Sequence, residues 1–287
     1  MFKKLGATAR LVRIEHALML MVGVFIGQAV AAGGMPPLGL VFLLALLVPA
    51  LSEMGSFALN DYTDVDADRA NGRADRPLVG GELGMGFALW LSVFCLLASV
   101  LVAAAINADA LIIALVFNGL AVAYNLWLKG VPALGNMYIA ATMAIPFIFG
   151  PVALGLPLTP TIWLIASLGF VSGLGREIVK STEDMEGDRA AGRGKTLPVV
   201  VGRDNALAIA AALFIAFMPL AALVFVEGLR LSALSGVFFA AAELGILWVA
   251  VYAVFSKEKG ALENVRKRSL LFLGLGLASL LLAAFGY

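Results

Sequence analysis

The chain has 287 residues, of which 62% are hydrophobic and 14% are charged, with a formal net charge of +1. Soluble globular domains carry about 25% charged residues, so this composition excludes an ordinary soluble domain and indicates an all-α polytopic membrane protein. The charge balance gives no sign of a nucleic-acid partner, and none is expected. A single cysteine, Cys95, excludes an intramolecular disulfide framework and a cysteine-rich metal site.

Apolar runs long enough to cross a bilayer recur along the whole chain. A helix that spans the hydrocarbon core needs about 20 apolar residues. A window of that length finds nine candidate spans, at about residues 14–32, 38–59, 84–106, 109–128, 134–154, 161–180, 205–226, 232–255 and 269–286. We interpret the first as a retained span and not as a cleaved signal peptide. The prediction is one transmembrane domain over residues 1–287.

Basic residues sort to one side of these spans. Of the 20 Lys and Arg residues, all but Arg230 lie in the N-terminal segment, at the end of the sixth span or in links that follow even-numbered spans. Because positive charge marks cytoplasmic loops, the N-terminus is predicted inside and the C-terminus outside. The even-numbered links are therefore predicted to be cytoplasmic.

One charged decapeptide occurs twice in this apolar chain. DVDADRANGR (64–73) is followed 120 residues later by DMEGDRAAGR (184–193). The copies follow the second and sixth spans, so the repeat is a duplication in the same orientation and not an inverted one. The repeated helical motifs are placed at residues 38–106 and 161–226.

The polar residues of each copy have helical spacing. Asn60, Asp64 and Asp68 would share one face of a helix that continues out of the second span. The second copy has the same spacing at Lys180, Asp184 and Asp188. The remaining acids are expected to project elsewhere, to water or to the opposite wall; these are Asp61, Asp66, Glu183 and Glu186.

This combination of acids and cations is typical of a site for Mg²⁺ and diphosphate. Carboxylate oxygens without His or Cys suit a hard ion, and Mg²⁺ usually completes its shell with water and substrate phosphate. The neighbouring cations would take phosphate oxygens. The alternative is that the charged links at 60–83 and 181–204 are solvent-exposed loops whose charges only set the orientation of the spans. That interpretation does not explain a duplicated decapeptide.

Further polar residues lie where they could join such a site. Glu53 is seven residues before Asn60 on roughly the same face, and an acid inside a membrane helix is functional or paired. Arg13 could reach a diphosphate or anchor the first span. Four more residues could line the mouth of the site: Tyr124, Asn125, Asn136 and Tyr138.

At these motifs the sequence resembles the UbiA superfamily of intramembrane prenyltransferases. NDYTDVDAD (60–68), followed by Arg76–Pro77, is similar to the first motif of that family, and DMEGD (184–188) is similar to the second. The resemblance implies a nine-helix bundle around a central apolar cavity, with a polar cytoplasmic cap at the two Asp-rich motifs. The run Gly175–Gly202 is similar to the digeranylgeranylglyceryl phosphate synthases of archaea.

The resemblance also implies roles for the site residues. The Mg²⁺ ligands would be Asn60, Asp64, Asp68, Asp184 and Asp188, with the four aspartates counted as catalytic. The diphosphate would contact Arg73, Arg76, Lys129 and Lys180. The acceptor phosphate or the rim of the site would use Arg13, Arg189, Arg193 and Lys195.

The reaction implied is transfer of a geranylgeranyl group from geranylgeranyl diphosphate, through an allylic cation, to the free hydroxyl of geranylgeranylglyceryl phosphate. The expected partners are thus an isoprenyl diphosphate donor, a lipid-like acceptor and membrane lipids. Two alternatives stay open. The acceptor could be aromatic, as in quinone or chlorophyll-type biosynthesis. The duplicated DRAxGR loop is also typical of major-facilitator transporters.

Overall fold

The computed structural model describes residues 2–70, 72–186, 196–255 and 260–287. Across these ranges the chain is helical and contains no strand. The helices, numbered in chain order, are α1 (Phe2–Leu11), α2 (Ile14–Ala32), α3 (Leu40–Ala70), α4 (Met85–Ala104), α5 (Ala108–Leu126), α6 (Leu134–Ala153), α7 (Pro160–Glu183), α8 (Leu197–Val201), α9 (Arg203–Glu227), α10 (Ala233–Phe255) and α11 (Ala261–Ala284).

Nine helices in the described ranges are long and apolar enough to cross a membrane, namely α2–α7 and α9–α11. The predicted all-α fold with nine spans is therefore confirmed. Large apolar side chains on these helices are exposed, as expected for surfaces that face lipid; Leu101, Val226 and Phe255 are 70%, 76% and 77% exposed.

Three helix boundaries differ from the hydropathy windows. The N-terminal segment forms a separate helix, α1, because the chain turns at Arg13, whose φ is +46°. Helix α3 continues eleven residues past the predicted end at 59, to Ala70, and carries the first acidic motif out of the apolar span. Helix α11 begins at Ala261 and not at 269, since the basic stretch before the span is itself helical.

The chain divides into two compact units. Unit 1 comprises Met1–Phe25, Pro37–Lys129 and Val152–Gly155, and it holds the first acidic motif. Unit 2 comprises Ile26–Pro36, Gly130–Pro151 and Leu156–Tyr287, and it holds the second. The prediction of a single domain with repeats at 38–106 and 161–226 stays a prediction.

Close helix contacts and short polar links hold α3, α4 and α5 together in unit 1. A Cβ on Gly55 of α3 would lie 2.8 Å from Cγ of Leu96 of α4. Beside it, the Ser92 hydroxyl donates to the Gly55 carbonyl at 2.8 Å. The Asn118 amide of α5 donates to the Ser99 hydroxyl of α4 at 2.6 Å. The hydrophobic effect does not drive helices together in lipid. Close packing at small residues and interhelical hydrogen bonds hold them together instead.

In unit 2, α7 approaches α6 along a pair of glycines four residues apart. A Cβ on Gly169 would lie 2.7 Å from the Met143 carbonyl oxygen, and one on Gly173 would lie 2.9 Å from the Met143 sulfur. This spacing is typical of tight helix pairs in membranes. The contact fixes α7, whose C-terminal end carries the second acidic motif.

Candidate functional site

The first acidic motif occupies about the last three turns of α3, in unit 1. Asn60, Asp64 and Asp68 are all half-buried, while Asp66 is exposed, with 92% of its side chain accessible. The predicted helical face is thus present, and Asp66 points to water as expected. A helix that keeps its form beyond the apolar span places three oxygen-bearing side chains in one row.

Asp61 was expected to project away from this row, and that expectation is wrong. Its side chain is 2% exposed, and its Oδ1 lies 2.6 Å from Nη1 of Arg76 and 3.5 Å from Nη2 of Arg13. Nε of Arg76 also lies 3.8 Å from Oδ2 of Asp68. Asp61 precedes Asp68 by seven residues, two helical turns, so the two acids share a face and one arginine reaches both.

Each polar residue of the row has a partner from another element of unit 1. Nζ of Lys129 contacts Oδ2 of Asp64. The Asn60 amide donates to the Asn125 side-chain oxygen at 3.0 Å, and the Asn125 amide donates to the Ala121 carbonyl at 2.9 Å. This arrangement leaves the Asn60 side-chain oxygen without a donor in the described ranges, so it can accept a ligand.

Arg13 lies at the turn between α1 and α2 and joins the same cluster. Its guanidinium stacks over the Phe57 ring, 4.1 Å from the centroid, on the face of α3 that carries the acids. Burial lowers the pKa of Arg13, the charge of Arg76 lowers it further, and Asp61 and Glu53 raise it. The turn therefore aims a fixed cation at the acidic row.

Not every residue predicted for the first site joins the cluster directly. Nε of Arg73 lies 3.6 Å from Oδ1 of Asp75, and its side chain is 47% exposed. Glu53 is half-buried on α3 and interacts electrostatically with Arg13. Tyr124 is half-buried beside Asn125 on α5. The roles predicted for these residues stay predictions.

The second motif begins at the C-terminal end of α7, in unit 2. The Asp184 backbone N–H donates to the Lys180 carbonyl at 3.0 Å and closes the helix, with its side chain exposed. Nζ of Lys180 lies 3.8 Å from Oε1 of Glu177, and the lysine side chain is 49% exposed. An exposed cation and an exposed acid are thus one turn apart on α7.

Two residues of α6 predicted to line the mouth of the site lie in unit 2. The Asn136 amide donates to the Ser181 hydroxyl, next to Lys180, at 3.0 Å. Tyr138 is 8% exposed. Four further residues lie outside the described ranges: Asp188, Arg189, Arg193 and Lys195.

The residues of unit 1 fit Mg²⁺ held together with a substrate, and not in an all-protein cage. In the described ranges no three acids or histidines lie together closely enough to bind a metal ion alone. Oδ2 of Asp61 is buried and has no hydrogen-bond partner there. Oxygen donors with an incomplete shell match the usual mode of Mg²⁺, which keeps water and phosphate ligands.

Comparison with known proteins identifies relatives over almost the whole length. A family model described as the UbiA prenyltransferase family matches residues 20–276. The digeranylgeranylglyceryl phosphate synthase of Archaeoglobus fulgidus is 34% identical over 278 residues, which are 96% of this chain and 94% of that protein. The enzyme of the same name from Thermococcus gammatolerans is 33% identical over 272 residues, covering 94% and 92% of the two chains.

Solved structures share the fold. A structure described as giving insights into digeranylgeranylglyceryl phosphate synthase in membranes superposes with a TM-score of 0.79 at 24% identity, covering 99% of both chains. A UbiA homolog from Archaeoglobus fulgidus, bound to GPP and Mg²⁺, gives 0.67 at 24% identity over 96% of this chain and 99% of the other. At this identity the likeness shows the fold alone.

Proposed function

Since the chain belongs to the UbiA prenyltransferase family, we propose that it transfers a geranylgeranyl group from geranylgeranyl diphosphate to the free hydroxyl of geranylgeranylglyceryl phosphate. The chain is a multi-pass membrane enzyme that transfers prenyl groups. The observation that carries the finer proposal is the row of Asn60, Asp64 and Asp68. Lys129 forms an ion pair with Asp64, and Arg76 forms one with Asp68.

The proposed acceptor is supported by the relatives. Two archaeal proteins named digeranylgeranylglyceryl phosphate synthase match more than nine-tenths of this chain at 34% and 33% identity. The segment Gly175–Gly202, which runs from α7 to the start of α9, is also similar to that subfamily. A phosphorylated acceptor needs cations, and this segment is rich in them.

The proposed donor site requires Mg²⁺, with Asn60, Asp64 and Asp68 holding one ion and Asp184 and Asp188 the other. Bound there, Mg²⁺ would neutralise charge that develops on the diphosphate as it leaves. The acids are suited to this role because they supply hard oxygen ligands, and a homolog of the same fold binds Mg²⁺ with GPP.

The protein's own cations would stabilise the leaving group directly. Arg73, Arg76, Lys129 and Lys180 are the proposed partners of the diphosphate oxygens. The carbon–oxygen bond of the donor breaks, and diphosphate keeps the electron pair. The acceptor hydroxyl oxygen then bonds to the allylic carbon and releases its proton. Fixed donors aimed at developing charge are typically worth about 10²–10³ in rate.

The apolar helices would provide the remaining requirement, which is exclusion of water. An allylic cation that meets water gives an alcohol and not an ether. A central apolar cavity under a polar cytoplasmic cap, with the N-terminus inside and the C-terminus outside, would separate the cation from the solvent. This orientation is supported by the basic residues, of which only Arg230 falls on the opposite side.

The proposal is tested by measuring product formation by the purified protein in detergent. The assay contains labelled geranylgeranyl diphosphate, Mg²⁺ and a panel of acceptors. The expected product is the diether phosphate, formed in preference to products of hydroxybenzoate, naphthoate or a chlorophyllide. Preferential prenylation of an aromatic acceptor would overturn the assignment of the acceptor. Solute flux in liposomes without any prenyl product would overturn the enzyme assignment.

A further inference from the structure

Two arginines and a buried serine meet where α7 packs on α11, in unit 2. Nε of Arg176, on α7, donates to Oγ of Ser269, on α11, at 3.1 Å. Ser269 is 0% exposed, and its hydroxyl donates to the Arg266 carbonyl at 2.9 Å. The proposed roles of the acidic motifs do not use this cluster.

Arg176 is a cation with most of its hydrogen-bonding capacity unused. Only Nε has a hydrogen-bond partner in the described ranges, so the two terminal amino groups donate to no side chain or carbonyl there. No carboxylate of the described chain forms an ion pair with Arg176, although Glu177 attracts it electrostatically. A guanidinium inside a membrane helix is costly, and such residues are functional by default.

Arg266 adds a second positive charge beside the first. Its charge repels that of Arg176, and the Ser269 hydroxyl that accepts from Nε of Arg176 donates to the Arg266 carbonyl. Nε of Arg266 lies 3.2 Å from Oε2 of Glu183, which offsets part of this charge. An anion between the arginines would relieve the repulsion and accept hydrogen bonds from both, since guanidinium groups match phosphate oxygens in geometry.

We infer that Arg176 and Arg266, positioned by Ser269, bind the phosphate group of the lipid acceptor. This inference rests on the proposed function, because it assigns the acceptor of that reaction to these residues. Arg176 lies seven residues before the end of α7, roughly 10 Å along the helix. A charge at that depth suits the headgroup of an amphiphile better than a water-soluble ion.

The same placement separates the acceptor phosphate from the donor diphosphate. Asp184, the proposed Mg²⁺ ligand of α7, follows Arg176 by eight residues, about two turns. In the acceptor, the phosphate and the free hydroxyl share one three-carbon glycerol. Holding the phosphate at Arg176 would therefore direct the hydroxyl along α7 towards the end that carries Asp184.

Steady-state kinetics of Arg176→Met, with acceptor and donor varied in turn, test the inference. Loss of charge-assisted hydrogen bonds predicts a rise of about 10- to 100-fold in the KM for geranylgeranylglyceryl phosphate. The KM for geranylgeranyl diphosphate should stay within about twofold. Arg268→Met is the matched control, because Arg268 lies on the same α11 but stacks on Trp248, 4.8 Å from the ring centroid.

A substrate lacking the phosphate separates phosphate binding from a purely structural role. Removing the phosphate from the acceptor should cost the wild-type enzyme at least as much as the Arg176→Met substitution does, because Arg266 also binds the phosphate. The same removal should cost the Arg176→Met variant less than it costs the wild type. If the two losses simply multiply, Arg176 does not contact the phosphate and the inference is wrong. Should Arg176→Met fail to fold, Arg176→Lys and Ser269→Ala answer the same question.

Binding without catalysis distinguishes this inference from the proposed function. Octyl phosphate, titrated calorimetrically into detergent-solubilised protein, should bind the wild type and Arg268→Met, and bind Arg176→Met at least tenfold more weakly. This result would support the anion site even if the preferred acceptor proved aromatic. Equal binding to all three proteins would overturn it. Competition by phosphatidate, with an unchanged acceptor KM in Arg176→Met, would instead assign the site to bilayer lipid and contradict the acceptor role.

Discussion

Nη1 of Arg76 lies 2.6 Å from Oδ1 of Asp61, and this ion pair folds the link after α3 back onto the helix it leaves. The two residues are 15 positions apart, and the aspartate is 2% exposed. Arg13 approaches the same oxygen at 3.5 Å. One buried carboxylate therefore positions two of the cations proposed to meet the substrate phosphates.

Asp61→Asn is expected to damage both stability and turnover. Breaking a fully buried ion pair costs about 3–5 kcal/mol, and a smaller loss of about 2–3 kcal/mol is expected here, because the Arg13 and Arg76 side chains are 22% and 19% exposed. Thermal unfolding in detergent and activity measure the two effects. Asp66→Asn is the control, since Asp66 lies on the same helix with its side chain 92% exposed. Equal effects from both variants would contradict the positioning role of Asp61.

Asp64→Asn and Asp184→Asn are expected to abolish the chemical step and leave the fold largely intact. The fall in kcat should be about 100-fold or more, in line with the loss of an electrostatic partner in a transition state. The Tm should change much less than in Asp61→Asn, because Asp64 is half-buried and Asp184 is exposed. Single-turnover formation of the ether and a thermal melt give both numbers. Turnover within threefold of wild type in either variant would remove that aspartate from the catalytic set.

Arg13→Lys should make activity sensitive to alkaline pH. Burial and the charge of Arg76 lower the pKa of Arg13, but arginine starts high enough to stay charged. A lysine in the same place starts near 10.4, and the same influences would lower its pKa further. Its positive charge would be present at low pH and lost as pH rises through that lowered pKa. The pH profile of kcat/KM should fall at high pH in the variant, whereas a profile matching that of the wild type would refute a charge-dependent role.

Gly169→Ala is expected to destabilise unit 2. The added Cβ would lie 2.7 Å from the Met143 carbonyl oxygen, a backbone atom that cannot rotate away. Overpacking of this kind costs about 1–3 kcal/mol. Gly274→Ala is the matched control, because nothing lies within 4 Å of its added Cβ. Thermal unfolding should separate the two, and a Gly169→Ala protein as stable as the control would show that α6 and α7 can move apart at little cost.

The membrane spans could be predicted from sequence because the bilayer imposes both the length and the apolar character of each helix. The extension of α3 could also be anticipated, since the spacing of Asn60, Asp64 and Asp68 is meaningful only on a helix. The separate helix α1 could not, because the break at Arg13 depends on a positive φ that no residue pattern announces.

The contacts around the acids were harder to anticipate. The seven-residue spacing of Asp61 and Asp68 was a usable signal that they share a helix face. Arg76 contacts both acids only because the link after α3 folds back onto the helix, and the sequence pattern does not indicate this fold. The pairing of Arg176 with Ser269 joins residues 93 positions apart and follows only from the packing of α7 on α11. Such long-range partners require the fold.

The central claim is tested most directly by an assay of diether phosphate formation with and without excess EDTA. The substrates are labelled geranylgeranyl diphosphate and geranylgeranylglyceryl phosphate. We predict product with Mg²⁺, none in EDTA, and recovery when Mg²⁺ is restored. Asp64→Asn and Asp184→Asn should form product with Mg²⁺ at no more than about a hundredth of the wild-type rate. Diether formation that persists unchanged in excess EDTA, or that exceeds this limit in both aspartate variants, would contradict the account of the two acidic motifs as a Mg²⁺–diphosphate site.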